Sequence, residues 1–326
     1  MDILNPKALR QKARAALQRG RDPKKVIFSY AAISLAMSLF VTFADLWLEK
    51  EISGTGGLGN MGTRAIFATA QQAIPTLLSL AAMCLELGFL NGMLRISRGQ
   101  YADHTDLKVG FQRFFPLLRM ALLQGLIFFA LAFFSIQISY VVFLLTPWSD
   151  PLMELLYPIV ESGTVALDEA TLLQATALLG PMFIIFGVVY LLMLVPVLFQ
   201  LRFANFCLLD DPRAGAMAAM RSSRKLMRRR FLPMLKIDLS LWPYHLATAA
   251  VSVLVYLDLL LPMLGIPVPM APETFALVIM IASALAQFAI QMTLRGQTET
   301  TYLMAYEQLR EKPKDNGVVL GNIFDM

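Results

Sequence analysis

The chain has 326 residues, 57% of them hydrophobic and 16% charged, with a formal net charge of +5. Soluble domains sit near about 45–50% apolar and about 25% charged, so this composition excludes an ordinary soluble globule and requires a bilayer as solvent. The positive excess falls in segments that flank apolar runs, which argues against nucleic acid as partner and for anionic lipid headgroups.

In chain order, residues 6–21 predict an amphipathic helix on the membrane surface, with Leu9, Ala13, Ala16 and Leu17 on one face and Arg10, Lys12, Arg14 and Arg19 on the rest. A first span covers about 26–48, the length a bilayer needs. No small-residue cleavage site follows it, so it is not read as a signal peptide. The glycine-rich segment 49–72 reads as an external loop. A second span covers about 73–96, and a basic loop follows in which Leu107, Phe111, Phe114 and Phe115 recur at helical spacing. A third span covers about 116–146. The acidic, base-free segment 147–170 belongs outside and reads as a solvated face, or else as a site for cations or a partner.

The fourth span covers about 171–205, with Pro181 and Pro196 as expected kinks. A loop dense in Arg follows, where Asp211 and Pro212 suit a helix start and Met217, Met220 and Met227 suit a lipid-facing stripe. The fifth span covers about 235–264 and the sixth about 274–294. The last helix is expected to continue inward on the stripe Tyr302, Tyr306 and Leu309. The single transmembrane domain is 1–312, and 313–326 reads as a disordered cytoplasmic tail.

Basic residues set the orientation. Eight precede the first span, five lie at or between the facing ends of spans two and three, nine at or between those of four and five, and four after the sixth; only Lys50 and Arg64 remain outside. Lys and Arg resist translocation, so the expected fold is an all-α polytopic bundle of six transmembrane helices with both termini cytoplasmic. The run Phe114-Phe115-Pro116-Leu117-Leu118 enters the third span, and Phe231-Leu232-Pro233-Met234-Leu235 enters the fifth. Each follows a basic amphipathic segment. We therefore expect three hairpins in one orientation, each preceded by an interfacial helix.

The stretch Asp210-Asp211-Pro212, Ala216 to Met220, Ser222 to Met227, Phe231-Leu232 and Asp238-Leu239-Ser240 with Trp242 resembles an uncharacterised bacterial integral membrane family, domain of unknown function 975. Gly88, Gly92, Arg98 and Gly99 are similar to its second motif, a glycine-bearing span that ends in a short loop. Arg228 to Arg230 depart from the family pattern, which carries Gly there. The resemblance implies a bacterial cytoplasmic-membrane protein without an assigned activity. A more distant similarity to the membrane domain of glycerophosphodiester phosphodiesterases hints at lipids by analogy.

Glu86, near the middle of the second span, is the sharpest candidate for chemistry, since a carboxylate there costs about 2.5–3.5 kcal/mol on insertion scales. It fits either a proton or cation site or a hydrogen-bonded structural carboxyl. Ser283, Gln287 and Gln291 form one stripe of the sixth span that must face the bundle, and His245 is a further intramembrane polar residue. Arg221, Arg224, Lys225, Arg228, Arg229 and Arg230 are the candidate anionic-lipid contacts, or else a topology signal alone. Cys84 and Cys207 stand apart, His104 and His245 are the only histidines, and neither a metal-ligand spacing nor a nucleophile–base motif is visible. The expected function is non-enzymatic, without cofactor: binding of membrane lipids through anionic headgroups, or of a protein partner. The alternative is a small transporter or transporter subunit that uses Glu86.

Overall fold

A computed structural model describes residues 4–20, 22–54, 61–162, 174, 176–211, 213, 215–257, 260–261, 266 and 271–311. The tail 313–326, residues 55–60 of the glycine-rich segment, residues 163–170 of the acidic segment and most of the proline-rich turn before the last helix lie outside these residues; residues 49–54 and 61–72, expected as an external loop, are helical and extend the first two spans. Among them every regular element is helical.

Helix α1 (Pro6–Arg19) opens with Asn5 as cap, its side-chain oxygen accepting from the Lys7 N–H at 3.1 Å, and with proline in the first turn, where a missing N–H costs nothing. Helices α2 (Pro23–Gly54) and α3 (Met61–Ser97) follow. A 3₁₀ turn (His104–Leu107) and the short α4 (Lys108–Gln112) precede the long α5 (Phe114–Leu144). A second 3₁₀ turn (Pro147–Ser149) leads into α6 (Asp150–Ser162). Then come α7 (Gly180–Leu201), α8 (Ala204–Asp210), α9 (Ala216–Met227), α10 (Phe231–Ser240) and α11 (Trp242–Leu254). The last helix runs through α12 (Pro272–Ile290), a π-helical turn (Gln291–Arg295) and α13 (Gly296–Glu311).

Five helices among the described residues are long and apolar enough to cross a membrane: Pro23–Ile52, Ala65–Ser97, Phe114–Leu144, Thr176–Asp210 and Thr274–Glu311. They match the expected first, second, third, fourth and sixth spans. The expected fifth span is not one helix. It divides at Leu241, because Pro243 has no N–H for the Leu239 carbonyl and takes the first turn of α11 instead. Pro181 likewise sits in the first turn of α7, just after the helical residues 176–178 are interrupted at Leu179, whereas Pro196 lies inside α7. Asp211 accepts from the Arg213 N–H at 3.1 Å, but the helix beyond starts only at Ala216.

The chain forms two compact units. One comprises Met1–Leu117, Asn205–Gly215 and Arg229–Met326; the other comprises Leu118–Ala204 and Ala216–Arg228. In the first, α2 packs along α3 and α12, while α1 lies on α13. Leu9 and Ala13 of α1 are fully covered, so this apolar face meets protein and not the lipid surface that its amphipathic pattern suggests. Tyr302, Tyr306 and Leu309 of α13 are buried as the stripe predicts. In the second unit, α9 packs on α7, held by Ser223 Oγ, which donates to the Gln200 carbonyl at 2.7 Å and accepts from the Phe203 N–H at 3.1 Å. Met220 and Met227 are buried, which leaves Met217 as the exposed methionine of the proposed stripe.

The two Phe-x-Pro entries share a backbone device. Arg113 (φ −103°, ψ 25°) precedes Phe114, and Arg230 (φ −118°, ψ 16°) precedes Phe231. Each proline falls in the first turn of the helix that follows. The matching conformations give the sequence repeat a local structural counterpart.

Candidate functional site

The last helix carries the polar residues that organise the first unit. Gln291 donates from Nε2 to Ser34 Oγ on α2 at 3.2 Å. One turn on, the Arg295 guanidinium donates to Glu86 Oε1 on α3 at 2.7 Å. It also lies over the rings of Tyr30 and Phe89, 4.7 and 5.5 Å from their centroids, so its charge meets one carboxylate and two π-faces. The Arg295 side chain is 10% exposed and that of Glu86 is 44% exposed, so the base is the buried member. Arg295 Nε and Gln291 Oε1 are buried without a hydrogen-bond partner in the protein. The π-helical turn that holds both adds a residue to the helix, a device common where a side chain must be re-aimed.

Farther along, Tyr302 donates its hydroxyl proton to Asp238 Oδ1 at 2.9 Å, and His245 Nε2 stands 3.3 Å from the same hydroxyl. With the phenolic proton directed to Asp238, the hydroxyl oxygen is left as the acceptor facing Nε2. Asp238 and His245 lie on either side of the helix break at Leu241. Arg10 of α1 donates to the Ser240 carbonyl at 3.0 Å, at the C-terminal end of α10.

The helix ends of α3, α8 and α13 meet in a third cluster. Arg98 pairs with Asp210 at 2.8 Å and with Glu307 at 2.7 Å. Tyr306 donates to Asp210 at 3.0 Å, and Arg310 pairs with the same carboxylate. Arg113 donates to the carbonyls of Leu208 and Leu209, both at 2.9 Å. Cations here offset the partial negative charge of the converging helix C-termini. The contacts Glu86–Arg295, Met93–Thr300 and Arg98–Glu307 follow in the same order along both chains, so α3 runs parallel to the last helix.

Glycines let these elements approach. A Cβ on Gly88 would overlap the Leu107 carbonyl, and one on Gly110 would overlap the Cys84 carbonyl. Beside this crossing Asp106 is buried, paired with Arg95 at 2.6 Å, within 3.4 Å of Asn91 Nδ2, and accepting from the Asp103 N–H at 2.9 Å. The half-buried Asp103 carboxylate accepts from the His104 backbone and ring, which holds it below the usual carboxylate range.

Of the residues singled out from sequence, Glu86 and Gln291 fall within one neighbourhood, and His245 joins the Tyr302–Asp238 chain. Ser283 is buried and bonds back to Met280 O, and Gln287 is half-buried. Arg221, Arg224 and Lys225 are exposed on α9, Arg228 and Arg229 are exposed in the turn after it, and Arg230 is half-buried. Arg229 has φ 61°, the left-handed conformation in which glycine is easiest. Arg295, Asp106, Tyr30 and Tyr302 were not singled out as site residues. For Arg295 a signal existed: it continues the Ser283–Gln287–Gln291 stripe by one more turn. Among the described residues no group of three or more His, Cys, Asp or Glu side chains is placed to hold a metal ion. Comparison with known proteins finds no matching family model, no matching curated protein and no matching solved structure.

Proposed function

We propose that this chain is a six-span protein of the bacterial cytoplasmic membrane, with both termini in the cytoplasm, that works by binding and not by catalysis. Its ligands on this reading are anionic lipid headgroups at the inner face. The observation that carries it is α9: its apolar side is already buried, yet Arg221, Arg224, Lys225, Arg228 and Arg229 remain exposed. Packing therefore leaves these bases available to headgroups, each worth about 1 kcal/mol near an anionic surface. The parallel course of α3 and the last helix supports placing the second and sixth spans in one direction.

Changing Arg228, Arg229 and Arg230 together to Gln is expected to lower retention of anionic lipid at least about tenfold in native mass spectrometry, with folding intact. Equal retention before and after would reduce the cluster to a topology signal. Salt should weaken the same preference.

For orientation, the exposed positions Glu154 and Ser222 are suitable for single cysteines, because the native Cys84 and Cys207 are buried. An impermeant maleimide should label Glu154→Cys on intact cells and leave Ser222→Cys untouched. The reverse pattern would invert the topology.

A second reading is a small transporter. What favours it is a polar neighbourhood beside an interrupted helix: His245 of α11 stands 3.3 Å from the Tyr302 hydroxyl, which donates to Asp238 on the other side of the break. Discontinuous membrane helices commonly line such sites. Against a Glu86 free to hold a transported cation stands its ion pair with Arg295 at 2.7 Å.

A further inference from the structure

The acidic segment after α5 reads from sequence as a solvated face, but its packing is that of a helix held at membrane depth. Only residues 145–149 separate α5 from α6, and they are tied down. Thr146 Oγ1 donates to the Phe143 carbonyl at 2.7 Å, and Ser149 Oγ donates to the Thr146 carbonyl at 3.0 Å. A connection this short keeps α6 beside the end of the span that it leaves.

Helix α6 then turns its inner side onto the flanks of its neighbours. Leu152 is 7% exposed against Phe143 at 1%, and Leu155, Leu178, Leu179, Met182 and Ile185 close the cluster. Met182 and Ile185 belong to the apolar segment Thr176–Asp210. The helix thus lies against the sides of the membrane-crossing helices. In the turn before it Trp148 is 56% exposed, and on α6 Tyr157 is 68% exposed with Met153, one helical turn earlier, exposed as well. Beside α6, Leu145 in the connection after α5 is 81% exposed, and Ile184, next to the packed Ile185 of α7, is 70% exposed. Asp150 and Glu154 are exposed on the same helix.

We propose that α6 docks into the headgroup boundary of the outer leaflet, with Trp148 and Tyr157 as its anchors and with zwitterionic headgroups as its partners. An indole or phenol ring satisfies both media at that depth, since its body is apolar and its N–H or O–H is polar. The medium that covers Leu145 and Ile184 must also reach the exposed rings beside them. The carboxylates of Asp150 and Glu154 repel anionic headgroups, which selects zwitterionic lipid. The choice of leaflet rests on the orientation proposed above; the depth rests only on the chain crossing a membrane.

The test uses full-length protein with Trp47→Phe and Trp242→Phe, so that Trp148 alone fluoresces, reconstituted in phosphatidylcholine vesicles. Lipid brominated near the glycerol end should quench Trp148 at least about twofold more than lipid brominated near the chain terminus, and aqueous acrylamide should quench weakly. Strong acrylamide quenching without bromolipid quenching would overturn the proposal. Replacing the carrier lipid by phosphatidylglycerol should lower the shallow quenching; equal or greater quenching would overturn the zwitterionic assignment. If the tryptophan variants fail to fold, a spin label at Met153→Cys reads the same depth: oxygen should relax it more than a water-soluble nickel chelate, and the opposite order would sink the idea. Labelling of Glu154→Cys from the cytoplasmic side would change the leaflet and leave the measured depth intact.

Discussion

Glu86→Ala is expected to destabilise the protein by about 3 kcal/mol, among the largest effects of any single side-chain truncation outside the apolar core. The reason lies in the unequal burial of the pair. Removing the carboxylate leaves the Arg295 guanidinium, 10% exposed, with two rings and no anion at 2.7 Å. Its Nε already lacks a protein acceptor. An unpaired buried charge costs about 3–5 kcal/mol, and the partial exposure of Glu86 places this case at the lower end. Arg295→Met removes the buried member and leaves a carboxylate that is nearly half exposed, so about 1–2 kcal/mol is expected. The double variant Glu86→Gln with Arg295→Met should recover most of the larger loss. Equilibrium unfolding of the detergent-solubilised protein, read as a double-mutant cycle, measures the coupling. Simple additivity would show that the pair does not hold α3 to the last helix.

Gly110→Ala is expected to cost about 3 kcal/mol, the upper end for an overpacked site. The added methyl would run into the Cys84 carbonyl, with the Gly88 N–H group next at 3.0 Å. Both neighbours are backbone, so no rotamer change can relieve the overlap; α4 must move off α3 as a whole. That shift would also disturb Asp106, whose pairing with Arg95 sits at the same crossing. Gly125→Ala is the control. Nothing lies within 4 Å of its Cβ position, and in a helix the change should be neutral or stabilising by about 0.5–1 kcal/mol. Similar unfolding midpoints for the two variants would contradict the close crossing.

Helical spans were legible because a bilayer imposes a local rule. About twenty apolar residues in succession are a property of one short window, and five of the six expected spans correspond to helices of sufficient length and hydropathy. Within the expected fifth span the described residues form two helices that meet at Leu241. The span's hydropathy is continuous, but the backbone hydrogen-bond ladder is not, because Pro243 cannot donate. The amphipathic helix α1 was legible as a helix and misread as to its surroundings. An apolar stripe states that something covers Leu9 and Ala13 and does not state what; here it is α13.

The candidate site divides in the same way. By itself the sequence determined which side chains would be expensive in a membrane, and so pointed to Glu86, Gln291 and His245, because that cost depends on residue type and depth alone. Only the tertiary structure decided what answers them. Glu86 meets Arg295, and Arg98 meets Glu307, in each case across 209 positions of the chain. Asp210 gathers Arg98, Tyr306 and Arg310 from two other helices. A charge on a helix fixes the need for a partner, whereas the partner's identity follows from helix rotation and register. The glycine crossing at Gly88 and Gly110, and the π-helical turn before Gly296, set the register for α3 and for the last helix. Those offsets of a single residue turn a whole face of a helix and so determine which side chains can meet.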